Sequence, residues 1–194
     1  MDTHLKRPTP ALRVLGIPIH DATYAEALDW IQLWIAEGGP HQIATVNPEF
    51  VMAARREQGF RAVLEEASLC LPDGVGITLA ARYQGQRLRD RVAGVDLVER
   101  LATRASQEGW RLFLLGAGPG VAERTAEVLT SRNPGLEVCG THAGSPALGE
   151  EDGIVQRVRD SRADVLLVAY GAPAQDMWLA RNLSRTEAAV GVGI

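Results

Sequence analysis

The most constraining feature of this chain is an alternation. Short apolar runs that end in polar or glycine-rich corners are followed, again and again, by helical periodicity. From Trp110 the pattern is regular. Arg111 to Leu115 reads as a strand, Gly116-Ala117-Gly118-Pro119-Gly120 as a glycine loop, and Val121 to Arg132 as a helix. Leu136 to Thr141 is the next strand, and a helix follows near Glu150 to Arg159. Asp164 to Ala169 is a very apolar strand, Pro173 to Leu183 a helix, and Ala188 to Val192 starts a further strand. A β-α-β-α-β-α-β order predicts a mostly parallel sheet with right-handed crossovers. The fold class expected is α/β: a Rossmann-like sheet with helices on both faces, preceded by a small N-terminal β-hairpin over Leu12 to His20.

The first half fits the same scheme. Thr23 caps a helix from Tyr24 to about Glu37, whose apolar positions Ala27, Leu28, Ile31, Trp34 and Ile35 recur at helical spacing. Gly38-Gly39-Pro40 ends it. His41 to Val46 is a buried strand. Pro48 to Arg56 and Phe60 to Ala67 are helical, with Gly59 between them. Ser68 to Leu71 is a short strand, Gly76 to Tyr83 a helix, and Val95 to Glu108 another. No linker, repeat or low-complexity segment divides the chain, so 11–194 reads as a single domain behind a loose polar tail, 1–10. The tail lacks the apolar core of a signal peptide, and no run reaches the length of a membrane-spanning helix. The chain stops at Gly193-Ile194, in or just after a strand that a further helix would normally cover. The expectation is a piece truncated at its C-terminus.

Composition narrows the function. At 194 residues and 46% apolar content the chain can bury one core. A net charge of −4 argues against a general nucleic-acid binder. Cys70 and Cys139 are not in a C-x-x-C arrangement, which fits a reducing compartment. His4, His20, His41 and His142 are scattered without zinc spacing. The run Glu150-Glu151-Asp152 reads as a favourable first helical turn, and no D-x-D is present.

Two corners carry polar side chains. Ile43-Ala44-Thr45-Val46-Asn47-Pro48-Glu49 offers Thr45, Asn47 and Glu49, with Asn47 a good N-cap and Pro48 suited to the first helical position. Leu71-Pro72-Asp73-Gly74-Val75-Gly76 offers the carboxylate of Asp73 beside Gly74. In open α/β sheets such corners line the ligand crevice. Gly116, Gly118 and Gly120 would let backbone approach a phosphate at a helix start. The G-x-G-x-G spacing is not the full dinucleotide fingerprint, and the strand about 20 residues on ends Cys139-Gly140-Thr141 without a ribose-binding acid. Tyr170-Gly171-Ala172-Pro173-Ala174-Gln175-Asp176 repeats the design. Gln175 can hydrogen-bond a sugar hydroxyl or base edge, while Asp176 suits a positive helix terminus. Arg87, Arg89 and Arg91 suit a diphosphate. If all strands are parallel, the ends after Val46, Leu71, Leu115 and Ala169 converge on one edge.

Five motifs occur in the order seen in one bacterial family. They are Thr45-Val46-Asn47-Pro48-Glu49, Leu71-Pro72-Asp73-Gly74-Val75-Gly76, Arg91-Val92-Ala93-Gly94-Val95-Asp96-Leu97, Leu114-Leu115-Gly116-Ala117-Gly118-Pro119-Gly120 and Gly171-Ala172-Pro173-Ala174-Gln175-Asp176. From about Val14 to its end the chain resembles the WecG/TagA/CpsF glycosyltransferases. That resemblance implies an inverting, metal-independent enzyme without cofactor, acting in cell-surface polysaccharide synthesis. It would move a hexose or N-acetylhexosamine (N-acetylmannosamine, its uronic acid, or glucose) from a UDP-sugar to a polyprenyl-diphosphate-linked sugar, on the cytoplasmic face of the membrane as a peripheral protein. By motif, Asp73 resembles the general base, Thr45 and Asn47 pocket residues, and Arg91 a residue stabilising a diphosphate. Gly74, Gly116, Gly118, Gly120, Gln175 and Asp176 resemble nucleotide-sugar contacts. Family members continue past the Gly-Val-Gly strand with a segment that supplies arginines and helps reach the membrane; a missing helix there would expose apolar surface and favour a homo-oligomer. Two readings compete: an NAD(P)-dependent oxidoreductase built on the glycine loop, and a non-catalytic nucleotide-binding module, which predicts that the Asn47 and Asp73 corners lie far apart.

Overall fold

A computed structural model describes residues 8–194; the part of the expected tail from 1 to 7 lies outside the described residues. The chain opens with a hairpin of β1 (Leu12–Val14) and β2 (Ile17–Ile19), paired antiparallel. Then follow α1 (Tyr24–Glu37), β3 (His41–Val46), α2 (Pro48–Arg56), α3 (Gln58–Glu66), β4 (Leu69–Pro72), α4 (Val75–Tyr83) and α5 (Gly94–Glu108). The second half holds β5 (Arg111–Gly116), α6 (Val121–Arg132), β6 (Glu137–His142), a 3-10 turn at Leu148–Glu150, α7 (Glu151–Ser161), β7 (Val165–Ala169), α8 (Ala174–Thr186) and β8 (Val190–Gly193). The expected elements are all present. The main difference is Gly59, which lies inside α3 rather than before it, because packing of Phe60 and Leu64 holds the helix through a residue of poor helix propensity.

Six strands form one sheet in the order β4-β3-β8-β7-β5-β6, and every pairing is parallel. All strand C-termini therefore meet at one edge. Alternation along each strand feeds two faces. Ile43, Leu69, Leu71, Leu112, Leu114, Val190 and Val192 point to a core under α1, α5 and α6. Ala44, Val46 and Cys70 point to a second core with α2, α3, α4 and the hairpin, and Phe113, Leu115, Leu166 and Val168 to a third under α7 and α8.

The last strand is read directly from its residues. Val190 and Val192 fill one face. On the other face a Cβ at Gly191 would lie 2.6 Å from Leu179 Cδ2, so glycine there lets α8 sit close over the middle of the sheet. Local signals fix the helix ends. Thr23 and Glu26 form a reciprocal capping box on α1, and Gly109 ends α5 in the left-handed conformation. His20 ties the hairpin to β4: its Nδ1 accepts the Cys70 N–H at 2.9 Å, and burial lowers its pKa to about 4.

Candidate functional site

The polar corners sit together at the C-terminal edge of the sheet. After β3, Asn47 caps α2 by accepting the Phe50 N–H at 3.0 Å, with Pro48 in the first helical turn. After β4, the Asp73 N–H donates to Val46 O at 2.8 Å and so extends the β3–β4 ladder by one residue. The two corners touch. A Cβ on Gly74 would be 3.5 Å from Pro48 Cδ and 3.9 Å from Asn47 Cβ, and one on Gly76 would be 2.5 Å from Pro48 Cγ. Glycine at 76 is what lets the start of α4 rest on Pro48. The separation expected of a non-catalytic module is not found.

Asp73 faces the start of α5. Its Oδ2 accepts the Gly94 N–H at 3.3 Å, and Oδ1 makes no hydrogen bond among the described residues. The side chain is partly exposed. That N–H, at the start of α5, fixes the orientation of the carboxylate. Thr45 lies on the same face of the sheet, two residues from Ile43 as Asp73 is two from Leu71. Its hydroxyl donates to Gly193 O at 3.1 Å, and a Cβ on Gly94 would come within 3.3 Å of it. Thr45 is 5% exposed; it supports the floor under Gly94 more than it lines open space.

The turn from 91 to 94 is held by a residue that helical spacing alone did not single out. The Tyr24 hydroxyl accepts the Ala93 N–H at 3.0 Å, and its proton is shared between Arg91 O at 3.1 Å and Asp96 Oδ2 at 3.2 Å. The Arg100 guanidinium lies 4.3 Å over the Tyr24 ring. Tyr24 thus sets the backbone that presents both Arg91 and the Gly94 N–H. The motif Arg91-Val92-Ala93-Gly94 marks the turn in sequence, but nothing local marks its partner, 67 residues earlier.

The arginine triplet splits. Arg89 bonds Asp21 Oδ2 at 3.1 Å and Glu26 Oε2 at 2.7 Å, tying the loop to the start of α1. That is a correction to its reading as a diphosphate ligand. Arg87 and Arg91 are exposed and make no side-chain hydrogen bond or ion pair among the described residues.

The glycine loop lies across the sheet. With β3, β8 and β7 between them, β4 and β5 are about four strand spacings apart, or roughly 19 Å. Gly116 has φ 103°, and a Cβ there would be 2.7 Å from Ala169 C and O; Ala117 N–H donates to Ala169 O at 2.7 Å. The first glycine therefore serves close packing of β5 on β7. Gly118 and Gly120 remain exposed, and Gly120 caps α6 in the left-handed conformation without a side-chain bond. Those open amides can meet an anion, against the charge of Glu123 in the first turn.

Gln175 and Asp176 do not reach the open edge. Gln175 is 2% exposed, and its Oε1 accepts the Gly171 N–H at 2.9 Å, closing the β7–α8 corner on itself. Asp176 is fully buried, and neither carboxylate oxygen has a hydrogen-bond partner among the described residues. Gln42 Nε2 donates to its backbone oxygen at 3.1 Å, and the nearby Gln42 amide partly offsets the effect of burial on the carboxyl. Burial pushes the Asp176 pKa up to about 7. Both residues shape the edge from beneath.

Among the described residues no three His, Cys, Asp or Glu side chains come together as a metal site. An apolar cavity of about 380 Å³ opens between α5 and α6, lined by Val95, Val98, Thr125, Val128, Ala169 and Ile194, next to the site. A larger cavity, about 690 Å³, lies at the opposite edge near His20, Trp30, Trp34 and His41, away from Asp73.

Comparison with known proteins gives a family match and named relatives. Residues 12–194 match the model of the glycosyl transferase WecG/TagA/CpsF family. An N-acetylglucosaminyldiphosphoundecaprenol N-acetyl-beta-D-mannosaminyltransferase of Bacillus spizizenii is 33% identical over 153 residues, 78% of this chain and 59% of the relative. Proteins of the same name from Bacillus subtilis and Staphylococcus aureus are 28% and 27% identical, over 92% and 96% of this chain and 70% and 73% of their own length. The chain thus spans between about three fifths and three quarters of these relatives.

Proposed function

The chain belongs to the WecG/TagA/CpsF glycosyltransferase family, and from that membership we propose that it transfers N-acetylmannosamine from a UDP-sugar to an N-acetylglucosaminyl-diphosphoundecaprenol acceptor. The relatives' names supply the sugar and the acceptor. The observation that carries the chemistry is Asp73: one oxygen rests on the Gly94 N–H, the other makes no hydrogen bond among the described residues, at a corner that the Asn47 turn and the backbone of the 91–94 turn both meet.

In this reading Asp73 accepts the proton of the acceptor hydroxyl as that oxygen attacks the anomeric carbon. The bond between that carbon and the diphosphate oxygen breaks, and UDP leaves from the opposite side with inversion. Arg91 takes the charge that builds on the leaving diphosphate. Asn47 holds a hydroxyl or the acetamido group with its free amide hydrogens. The roughly 19 Å from Asp73's strand to the glycine loop is more than one hexose can span. A nucleoside, a diphosphate and a sugar in a row can bridge it, with the diphosphate or ribose near the open amides of Gly118 and Gly120. Metal independence follows from assigning the diphosphate charge to Arg91 and these amides. An enzyme of this kind works at the cytoplasmic membrane surface. No described helix is long and apolar enough to cross a bilayer.

The test is transfer from UDP-N-acetylmannosamine, UDP-glucose and UDP-N-acetylmannosaminuronic acid to a short-chain N-acetylglucosaminyl-diphospholipid, with and without EDTA. The expected product carries a new sugar of inverted configuration, from the first donor foremost, and EDTA leaves the rate intact. A folded chain that binds NAD(P) but neither UDP nor UDP-sugar would overturn the reading. The orientation of Gly116 and Ala117 onto Ala169 already weighs against that dinucleotide site, whose loop must be free to approach a pyrophosphate.

A further inference from the structure

Helix α4 is apolar on both sides. Ile77 and Ala81 are buried and pack into the core beneath β1 and α2. On the opposite face Val75, Leu79 and Tyr83 recur at every fourth residue and are 59%, 54% and 95% exposed. Three large apolar side chains in a row on one helix face are normally covered. This helix is open on its outer side and begins two residues after Asp73.

Charge says what covers that face. Residues 75–91 contain Arg82, Arg87, Arg89 and Arg91 against the single acid Asp90, a net +3 in a chain of net −4. Arg89 is tied to Asp21 and Glu26, whereas Arg82, Arg87 and Arg91 are exposed and have no ion pair among the described residues. A short apolar stripe flanked by unpaired arginines complements an anionic lipid surface: the side chains enter the headgroup boundary, and arginine stems lie along it with their charges outward. A protein partner of ordinary composition would give no reason for a local net +3 beside the apolar stripe in a chain of net −4.

We propose that the outer face of α4, with Arg82 and Arg87, is the surface by which this chain docks on an anionic bilayer, setting the Asp73 edge against the membrane. The purpose of the docking rests on the lipid-linked acceptor proposed above; its test does not. The docking is reversible, because a single stripe of three side chains is too small to anchor irreversibly. Each arginine near an anionic surface contributes about fivefold in affinity, and added salt removes that part.

The experiment is co-sedimentation of the 194-residue chain with vesicles of phosphatidylglycerol and phosphatidylethanolamine, or of phosphatidylcholine alone, without any sugar substrate. The anionic vesicles should bind at least tenfold more strongly. Leu79→Glu should weaken that binding tenfold or more. Arg82→Glu combined with Arg87→Glu should reduce it to the level of phosphatidylcholine. Both variants should melt as the wild type does, since none of the three side chains is in the core. Transfer to a water-soluble acceptor should be unaffected by Leu79→Glu; a wild-type chain that docks on anionic vesicles but transfers no sugar counts against the glycosyltransferase reading and not against this one. Equal sedimentation of Leu79→Glu and wild type overturns the proposal. So does a dimer that Leu79→Glu splits while vesicle binding is unchanged, which would make α4 an interface between copies.

Discussion

Replacing Asp176 by Asn should change how stability depends on pH, and the size of the change follows from burial. The carboxyl is fully enclosed, its oxygens have no hydrogen-bond partner among the described residues, and its pKa rises from 3.8 to about 7. Between those values the native state holds a proton that the unfolded chain releases. Stability contributed by this group is therefore present at low pH and is lost as pH rises to about 7. The full loss is about 4 kcal/mol, of which about 3 falls between pH 5 and pH 8. His20 acts in the opposite sense. Its folded pKa of about 4 lies below the ordinary 6.5, so the unfolded chain takes up the extra proton, and about 3 kcal/mol is lost as pH falls from 6.5 to 4. The two effects oppose each other, and the wild-type profile between pH 4 and 6.5 should look nearly flat. In the difference between Asp176→Asn and wild type the His20 part cancels. Urea denaturation at pH 5, 6, 7 and 8 should show the variant gaining about 3 kcal/mol relative to wild type across that range. Any fixed cost of burying the amide shifts all four points equally. A difference constant to within about 1 kcal/mol would refute the reasoning, since it would mean that the carboxylate has a partner or water in solution.

Asp73→Asn keeps an oxygen for the Gly94 N–H but cannot take a proton; transfer should fall by about 10²- to 10⁴-fold with the melting temperature unchanged, as steady-state assays and calorimetry would show. Arg91→Ala should lower the transfer rate by about a hundredfold without loss of stability, whereas Arg89→Ala should lower the melting temperature by releasing Asp21 and Glu26 and leave the rate in the wild-type range. Gly116→Ala should cost about 2–5 kcal/mol in chemical denaturation, because its Cβ would press on the Ala169 carbonyl at a φ of 103°.

What the sequence determined by itself was the architecture and the edge. Alternation of apolar runs with helical periodicity is a local property, and so are Thr23 with Glu26, Asn47 with Pro48, and the Val-Gly-Val-Gly run of β8. Each was legible because the interaction that fixes it lies within a few residues. They sufficed for a parallel sheet with its polar corners on one side, and the ordered motifs sufficed for the family. Tertiary structure decided which of those corner residues face a ligand. Arg89 and Arg91 are alike in sequence, yet one meets Asp21 and Glu26 at the start of α1 and the other's side chain has no partner among the described residues. Asp176 looks like a helix-start acid until β8 enters between β3 and β7 and encloses it against Gly193. Tyr24 gains its role only when α1 packs beside α5 and brings its hydroxyl to the 91–94 turn. Partners of this kind are chosen by long-range packing, where a residue's neighbours in space are set by the whole strand order and not by its neighbours in the chain.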